Sequence, residues 1–166
     1  MIFSRASEYA IQALLYLAKR WLEETKTKTN SIHQRRHSYI QTKEIAEAHS
    51  MPYYFLAKLV QDLTRAGLIS STKGPGGGIR LARDPRDITI LDVARSVDNL
   101  QYVTDCVIGY EKCSPESPCP LHYEWEKIRQ RIFEIIRDKT LAELVENATF
   151  VNGRLMAPQR NTSAKS

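Results

Sequence analysis

Apolar residues recur along the start of the chain with the period of a helix. Tyr9, Ala10, Ala13, Leu14, Leu17, Ala18 and Trp21 fall on one continuous face. The spacing predicts a helix over residues 4–22, with Ser4 as its N-cap. From Glu23 to Tyr39 the pattern is lost in a polar, aperiodic run that reads as an exposed loop. Periodicity returns at Thr42, with Ile45 and Ala46 facing inward. His49-Ser50-Met51 forms a turn, and Pro52 suits the first turn of the next helix, where its missing N–H costs nothing. Phe55, Leu56, Leu59, Val60 and Leu63 carry that helix, and Gly67 ends it. Two short helices joined by a tight turn, with a strand to follow, describe a helix-turn-helix.

Residues 68–72 and 79–82 are brief strand-like runs around Lys73-Gly74-Pro75-Gly76-Gly77-Gly78. This hairpin is read as a wing. Its glycines allow positive φ and close approach of backbone to another molecule. The loop lacks the Walker Gly-Lys-Ser/Thr ending and the Gly-x-Gly-x-x-Gly spacing, which argues against a nucleotide-phosphate loop. Thr89 opens a short helix through Val97. A cysteine-bearing loop follows over residues 100–119.

A last amphipathic segment starts near Pro120, with Trp125, Ile128, Ile132, Ile135 and Ile136 on one stripe. Lys139-Thr140 interrupts it before Leu141, Leu144 and Val145. Such a helix outside a small domain finds its natural partner in the same helix of a second subunit. The predicted fold is therefore mainly α with a small β wing: a winged helix-turn-helix domain plus a long C-terminal dimerisation helix. Its divisions are residues 1–99, the loop 100–119, the helix 120–147 and a disordered tail 148–166.

Charge sharpens the picture. The net charge is +5, yet residues 1–80 hold 12 Lys+Arg against 6 Asp+Glu, and the remainder 12 against 13. A positive excess confined to the winged half suits a phosphate-binding surface. No run approaches the roughly 20 apolar residues of a membrane span, and no signal-peptide core stands at the start. A cytoplasmic protein with no membrane partner is expected. No Ser/His/Asp arrangement or paired carboxylates suggest an enzyme.

All 3 cysteines lie between positions 106 and 119, among polar residues and prolines. An odd, clustered set is unlike a secreted disulfide framework and suits metal binding or redox work in a reducing compartment. Cys106-x₆-Cys113-x₅-Cys119-x₂-His122 offers three soft thiolates and an imidazole, ligands that select zinc or iron–sulfur clusters. Structural zinc sites use tighter cysteine pairs, so the wide gaps favour a larger inorganic core. Thiol-only redox sensing is the other reading of these cysteines, and an electron carrier or enzyme using a cluster is a further one. His33 and His37, four apart, are weighed as metal ligands against ordinary loop histidines.

Five segments stand in order: Glu8-Tyr9-Ala10, Arg65-Ala66-Gly67-Leu68-Ile69, Gly74-Pro75-Gly76-Gly77-Gly78, the Cys/Cys/Cys/His set, and Thr140-Leu141-Ala142-Glu143-Leu144. Together they resemble the IscR/NsrR/RirA-type family of winged helix-turn-helix iron–sulfur transcription regulators, over roughly residues 1–146. The IscR type fits best, because its third cysteine is likewise followed three positions later by a histidine. The resemblance implies a homodimeric regulator, a repressor, that binds a double-stranded DNA operator and senses iron or cluster status, nitric oxide or redox stress. It implies a [2Fe-2S] cluster on Cys106, Cys113, Cys119 and His122. A [4Fe-4S] cluster completed by Glu8 across the dimer, as in NsrR-type members, is the alternative. The first gap has six residues where IscR-like members have five, which leaves cluster type open. A cluster-free, cysteine-metabolism-type regulator of the same fold also stays open.

In a helix-turn-helix the N-terminal part of the second helix reads base edges. Tyr53, Tyr54, Ala57 and Lys58 are the candidate readers, with Gln61 a turn further on. Lys58 suits guanine and Gln61 adenine. Lys73, Gly76, Gly77 and Arg80 are wing candidates for phosphate or the minor groove, and Thr42 and Arg5 for backbone phosphates. Ala57 stands where IscR carries a glutamate that discriminates operator classes, which implies less dependence of site choice on cluster loading.

Overall fold

The computed structural model describes residues 3–27, 37–100, 105–110, 113–151 and 154–156. The first helix, α1, spans Arg5–Thr27 and buries Ala10, Ala13, Leu14, Leu17 and Ala18. Ser4 caps it, its hydroxyl accepting from the Ser7 N–H at 3.2 Å. The helix thus runs five residues past the expected end at residue 22. Its last turn extends beyond the core, so apolar spacing could not reveal it. The hydroxyls of Thr25 and Thr27 donate back to the carbonyls of Trp21 and Glu23, and Lys19 pairs with Glu23 at 3.7 Å.

Helices α2 (Thr42–Ala48) and α3 (Tyr53–Arg65) form the helix-turn-helix. Ile45, Ala46, Leu56, Leu59 and Leu63 face the core. Phe55, expected on the same inner face, lies at its margin, 38% exposed and edge-on to Tyr9 at 5.5 Å. Gly67 adopts φ +70° beyond the end of α3. There the Leu68 N–H donates to the Leu63 carbonyl and the Gly67 N–H to that of Thr64, both at 3.0 Å. These two bonds are a Schellman closure, which a left-handed glycine permits.

The wing comprises β1 (Ile69–Thr72) and β2 (Gly78–Leu81), antiparallel with Ile69 opposite Leu81 and Thr72 opposite Gly78. Ile40 adds a short third rung, exchanging hydrogen bonds with Ile79 at 2.8 and 2.9 Å. A 3-10 turn at Pro85–Asp87 leads to α4 (Ile90–Val97), whose capping box joins Thr89 and Asp92.

The final amphipathic segment is two helices, α5 (His122–Asp138) and α6 (Leu141–Glu146). Thr140 starts a second capping box with Glu143, so the chain breaks at Lys139-Thr140 and turns back. Leu141 and Ala142 are buried, and α6 packs on α1 and the 3-10 turn. The dimerisation helix expected over 120–147 breaks at the interruption expected there, and its assignment is corrected: the last part belongs to the core of the winged domain. Downstream, β3 (Thr149–Val151) and β4 (Arg154–Met156) pair antiparallel. Part of the expected disordered tail is therefore ordered. Asn152-Gly153 between the strands is a two-residue turn signal that apolar periodicity does not register. Residues 157–166 lie outside the described ones. No described helix is long and apolar enough to cross a membrane.

Candidate cysteine site and nucleic-acid interface

The cysteines occupy the connection between α4 and α5, and His122 is the first residue of α5. Its N–H donates to the Cys119 carbonyl at 2.9 Å, so the third cysteine and the histidine share one turn. Cys106 is buried, Cys113 and Cys119 are half-buried, and all three are free thiols. Several donors hold the Cys106 thiol below its usual pKa: the Ile108 N–H foremost, then the Tyr110 N–H, the Cys119 thiol and the Gly109 N–H, against the opposing effect of burial. Gly109, at φ +83°, closes the turn back to the Cys106 carbonyl at 3.0 Å.

The second half of the set is equally pointed. Cys113 Sγ and His122 Nδ1 lie 3.2 Å apart. His122 is only 2% exposed, and its Nε2 is buried with no hydrogen-bond partner. Buried ring nitrogens normally find a partner, so the orphaned Nε2, on a ring whose Nδ1 meets the Cys113 sulfur, suits a ligand that enters from outside the described residues. Among the described residues, however, no three of the Cys, His, Asp and Glu side chains converge on one metal position. Of the four, Cys113 and His122 are in direct contact. Trp125 adds a tie that apolar spacing concealed, its indole N–H donating to the Asp105 carbonyl at 3.1 Å. Glu8 is held in its own chain by Arg5, at 3.1 Å.

His37, weighed as a metal ligand, is stacked on Trp21 with ring centroids 3.5 Å apart, and its Nδ1 lies 3.3 Å from the Glu24 carboxylate. It serves to anchor the chain leaving the 23–39 region. His33 lies outside the described residues.

On the opposite side, α3 turns Tyr53, Tyr54, Lys58 and Gln61 outward, Tyr54 being 87% exposed. Tyr54, Lys58 and Gln61 share one stripe, with Ala57 half-buried beside it. Thr42 opens α2 and is half-buried. In the wing, Lys73 and Gly76 are exposed, whereas Gly77 is buried. A Cβ at Gly77 would meet the Thr72 carbonyl at 2.6 Å, so that glycine is needed by the turn itself. Arg80 is engaged internally: it donates to the His37 carbonyl at 3.2 Å and lies over the Tyr39 ring at 4.6 Å. Arg5, besides its pair with Glu8, lies 5.8 Å over the Tyr9 ring.

Fold and exposed basic wing together define a winged-helix DNA-binding protein with a cysteine-bearing loop. The sequence matches the Rrf2 family, described as an iron-dependent transcriptional regulator, over residues 3–147, and the chain belongs to that family. It is 33% identical over 147 residues to a putative HTH-type transcriptional regulator of Aquifex aeolicus, covering 87% of this chain and 92% of the relative. Among solved structures it is similar to CymR, the global cysteine regulator of B. subtilis. That pair is 25% identical with a TM-score of 0.65, covering 88% of this chain and 97% of the other. It is also similar to T. potens IscR, at 27% identity and a TM-score of 0.62 over 88% and 87% of the two chains. The protein is thus a transcription regulator of a DNA-binding family.

Proposed function

We propose that the chain is a homodimeric repressor whose hold on operator DNA is set by an iron–sulfur cluster on Cys106, Cys113, Cys119 and His122. The observation that carries this reading is the buried imidazole of His122, orphaned at Nε2 and set against a cysteine sulfur at Nδ1. A [2Fe-2S] group bound there supplies iron that redox stress, nitric oxide or iron shortage attacks. The chain's own part is positional. Cys106, Cys113 and Cys119 lie on the loop, while His122 opens α5, so shared ligation would pin loop to helix. Trp125 reinforces that pin from α5. On the DNA side, exposed Lys58 and Lys73 are the cations offered for phosphate and groove contacts, and exposed Tyr53, Tyr54 and Gln61 are the side chains offered for base edges.

The Cys106 thiol, held below its usual pKa chiefly by the Ile108 N–H, favours a second reading, a cluster-free thiol switch of the cysteine-regulator type. Oxygen-free purification separates the two. Under the first, the protein is coloured, carries equal iron and acid-labile sulfide, and loses both in His122→Ala but not in Glu8→Ala. A colourless preparation without sulfide, whose operator affinity instead follows thiol oxidation, selects the second. Loss of cluster in Glu8→Ala alone moves the fourth ligand to the partner subunit.

A further inference from the structure

A cavity of about 900 Å³ opens between the first half of α1, the turn of the helix-turn-helix and the β3–β4 hairpin. It stands apart from the four cysteine-site residues. One wall, formed by Phe150, Val151 and Met156, lies beyond residue 147, where the match to the family ends. The hairpin is held against α1, with the Lys19 ammonium 4.5 Å over the Phe150 ring. Ligand pockets of this size are apolar concavities with a few polar groups that fix orientation.

The polar groups here have one character. Arg5 and Gln12 project from α1, and His49 and Ser50 from the turn, while no Asp or Glu among the described residues lines the space. The Arg5 guanidinium engages Glu8 through one nitrogen and keeps further donors. His49 Nε2 is buried and has no hydrogen-bond partner, and its ring is fixed edge-on to Tyr16 at 5.7 Å. Burial lowers its pKa, so the imidazole is neutral near pH 7 and free to donate or accept. Ser50, at φ +53°, is a non-glycine residue in the left-handed region, in the same wall. Leu15 lines the space from α1 beside Gln12, and the hairpin side chains line it from β3 and β4.

We propose that this cavity binds a small amphipathic carboxylate, its acid group at Arg5 and Gln12 and its apolar body against Leu15, Phe150 and Met156. The turn that forms its floor leads directly into Pro52 and α3. Such a ligand therefore sits on the hinge of the reading head, as an input separate from the cysteines. The site uses none of Cys106, Cys113, Cys119 and His122, so a coloured or a colourless preparation leaves it standing, whereas a cluster lost only in Glu8→Ala would set its Arg5 wall beside the partner subunit.

The test is a titration of the full-length protein, carrying ¹³C-methyl methionine, with 4-phenylbutyrate and its uncharged partner 4-phenylbutan-1-ol. The chain has 3 methionines. The Met156 methyl should shift and saturate with the acid, whereas core Met51 stays in place. The alcohol should bind about tenfold or more weakly, as expected when a charge-assisted hydrogen bond of about 1.5–3 kcal/mol is lost. Val151→Trp, which fills the space from the hairpin, should abolish the shift while thermal melting stays near wild type. Gln12→Leu, which keeps the length of the side chain and removes its amide, should weaken binding severalfold. Three results overturn the proposal: no Met156 shift at millimolar acid, equal affinity for acid and alcohol, or undiminished binding in a folded Val151→Trp protein. The acid–alcohol comparison uses the unaltered chain, so it decides the matter even where a variant fails to fold.

Discussion

Gly78 is where the wing meets the rest of the domain. Its φ is +147°, and a Cβ there would stand 2.2 Å from the Ile40 carbonyl oxygen. Gly76, two residues earlier, has φ +73° and open space around it. Both positions disfavour a side chain through backbone strain, but only Gly78 adds a collision with backbone that cannot swing away. Gly76→Ala should cost about 1 kcal/mol, and Gly78→Ala about 3 kcal/mol once the collision is added. Paired thermal melts check this: at roughly 2–4 °C per kcal/mol for a chain of this size, Gly78→Ala should melt several degrees below Gly76→Ala. Indistinguishable midpoints would contradict the Ile40 contact. The glycine cluster was plain in the sequence, but which glycine serves the turn and which the docking was not. That depends on Ile40, a residue 38 positions away along the chain.

Among the elements, α6 changes the plan of the molecule most. Its capping box at Thr140 and Glu143 starts a new helix instead of continuing α5. The Leu141 N–H donates to the Ile88 carbonyl at 2.9 Å, and Arg86 pairs with Glu146 at 2.9 Å, fastening α6 to the winged domain. Leu141 is fully buried. Leu141→Ala should therefore destabilise the winged domain by about 2–5 kcal/mol, the range for a buried leucine that leaves a cavity. Urea unfolding measures it. A variant with wild-type stability and only weakened self-association would return α6 to a dimer arm. The amphipathic stripe was legible and so was its interruption. The destination of the last turn was not, because Leu141, Leu144 and Val145 suit either a partner helix or the protein's own core. The end of α1 illustrates the converse, a helical turn without core contacts and so without periodic signal.

In the whole molecule, α5 is the element left without enough of its own core. Leu121, Trp125, Ile128, Ile132 and Ile135 follow one another at spacings of four and three, the alternation of a coiled-coil seam. Leu121, Ile128 and Ile135 are each about half exposed, while Ile136 on the other side is buried against the domain. A second copy of α5 is the occupant this seam fits, in keeping with the proposed homodimer. Ile128→Glu places a charge at its centre, and sedimentation should then show a monomer with unchanged helix content. A dimer that survives the substitution would place the interface elsewhere. Loss of the dimer should also weaken operator binding, since two half-sites are read together.

The order of elements, the helix-turn-helix, the glycine wing, the basic first half and the cysteine–histidine set were determined by sequence alone. Each depends on local chemistry: apolar spacing, caps, turn residues and ligand types lie within a few positions of one another. Tertiary structure decided what those parts face. It turned Arg80 inward to Tyr39 and the His37 carbonyl, stacked His37 on Trp21, and set Cys113 against the buried ring of His122. It also folded the last hairpin back to wall a cavity beside the reading head. Those outcomes rest on contacts between residues far apart in the chain, where the same side chain can serve solvent, ligand or core, and only the packing selects among them.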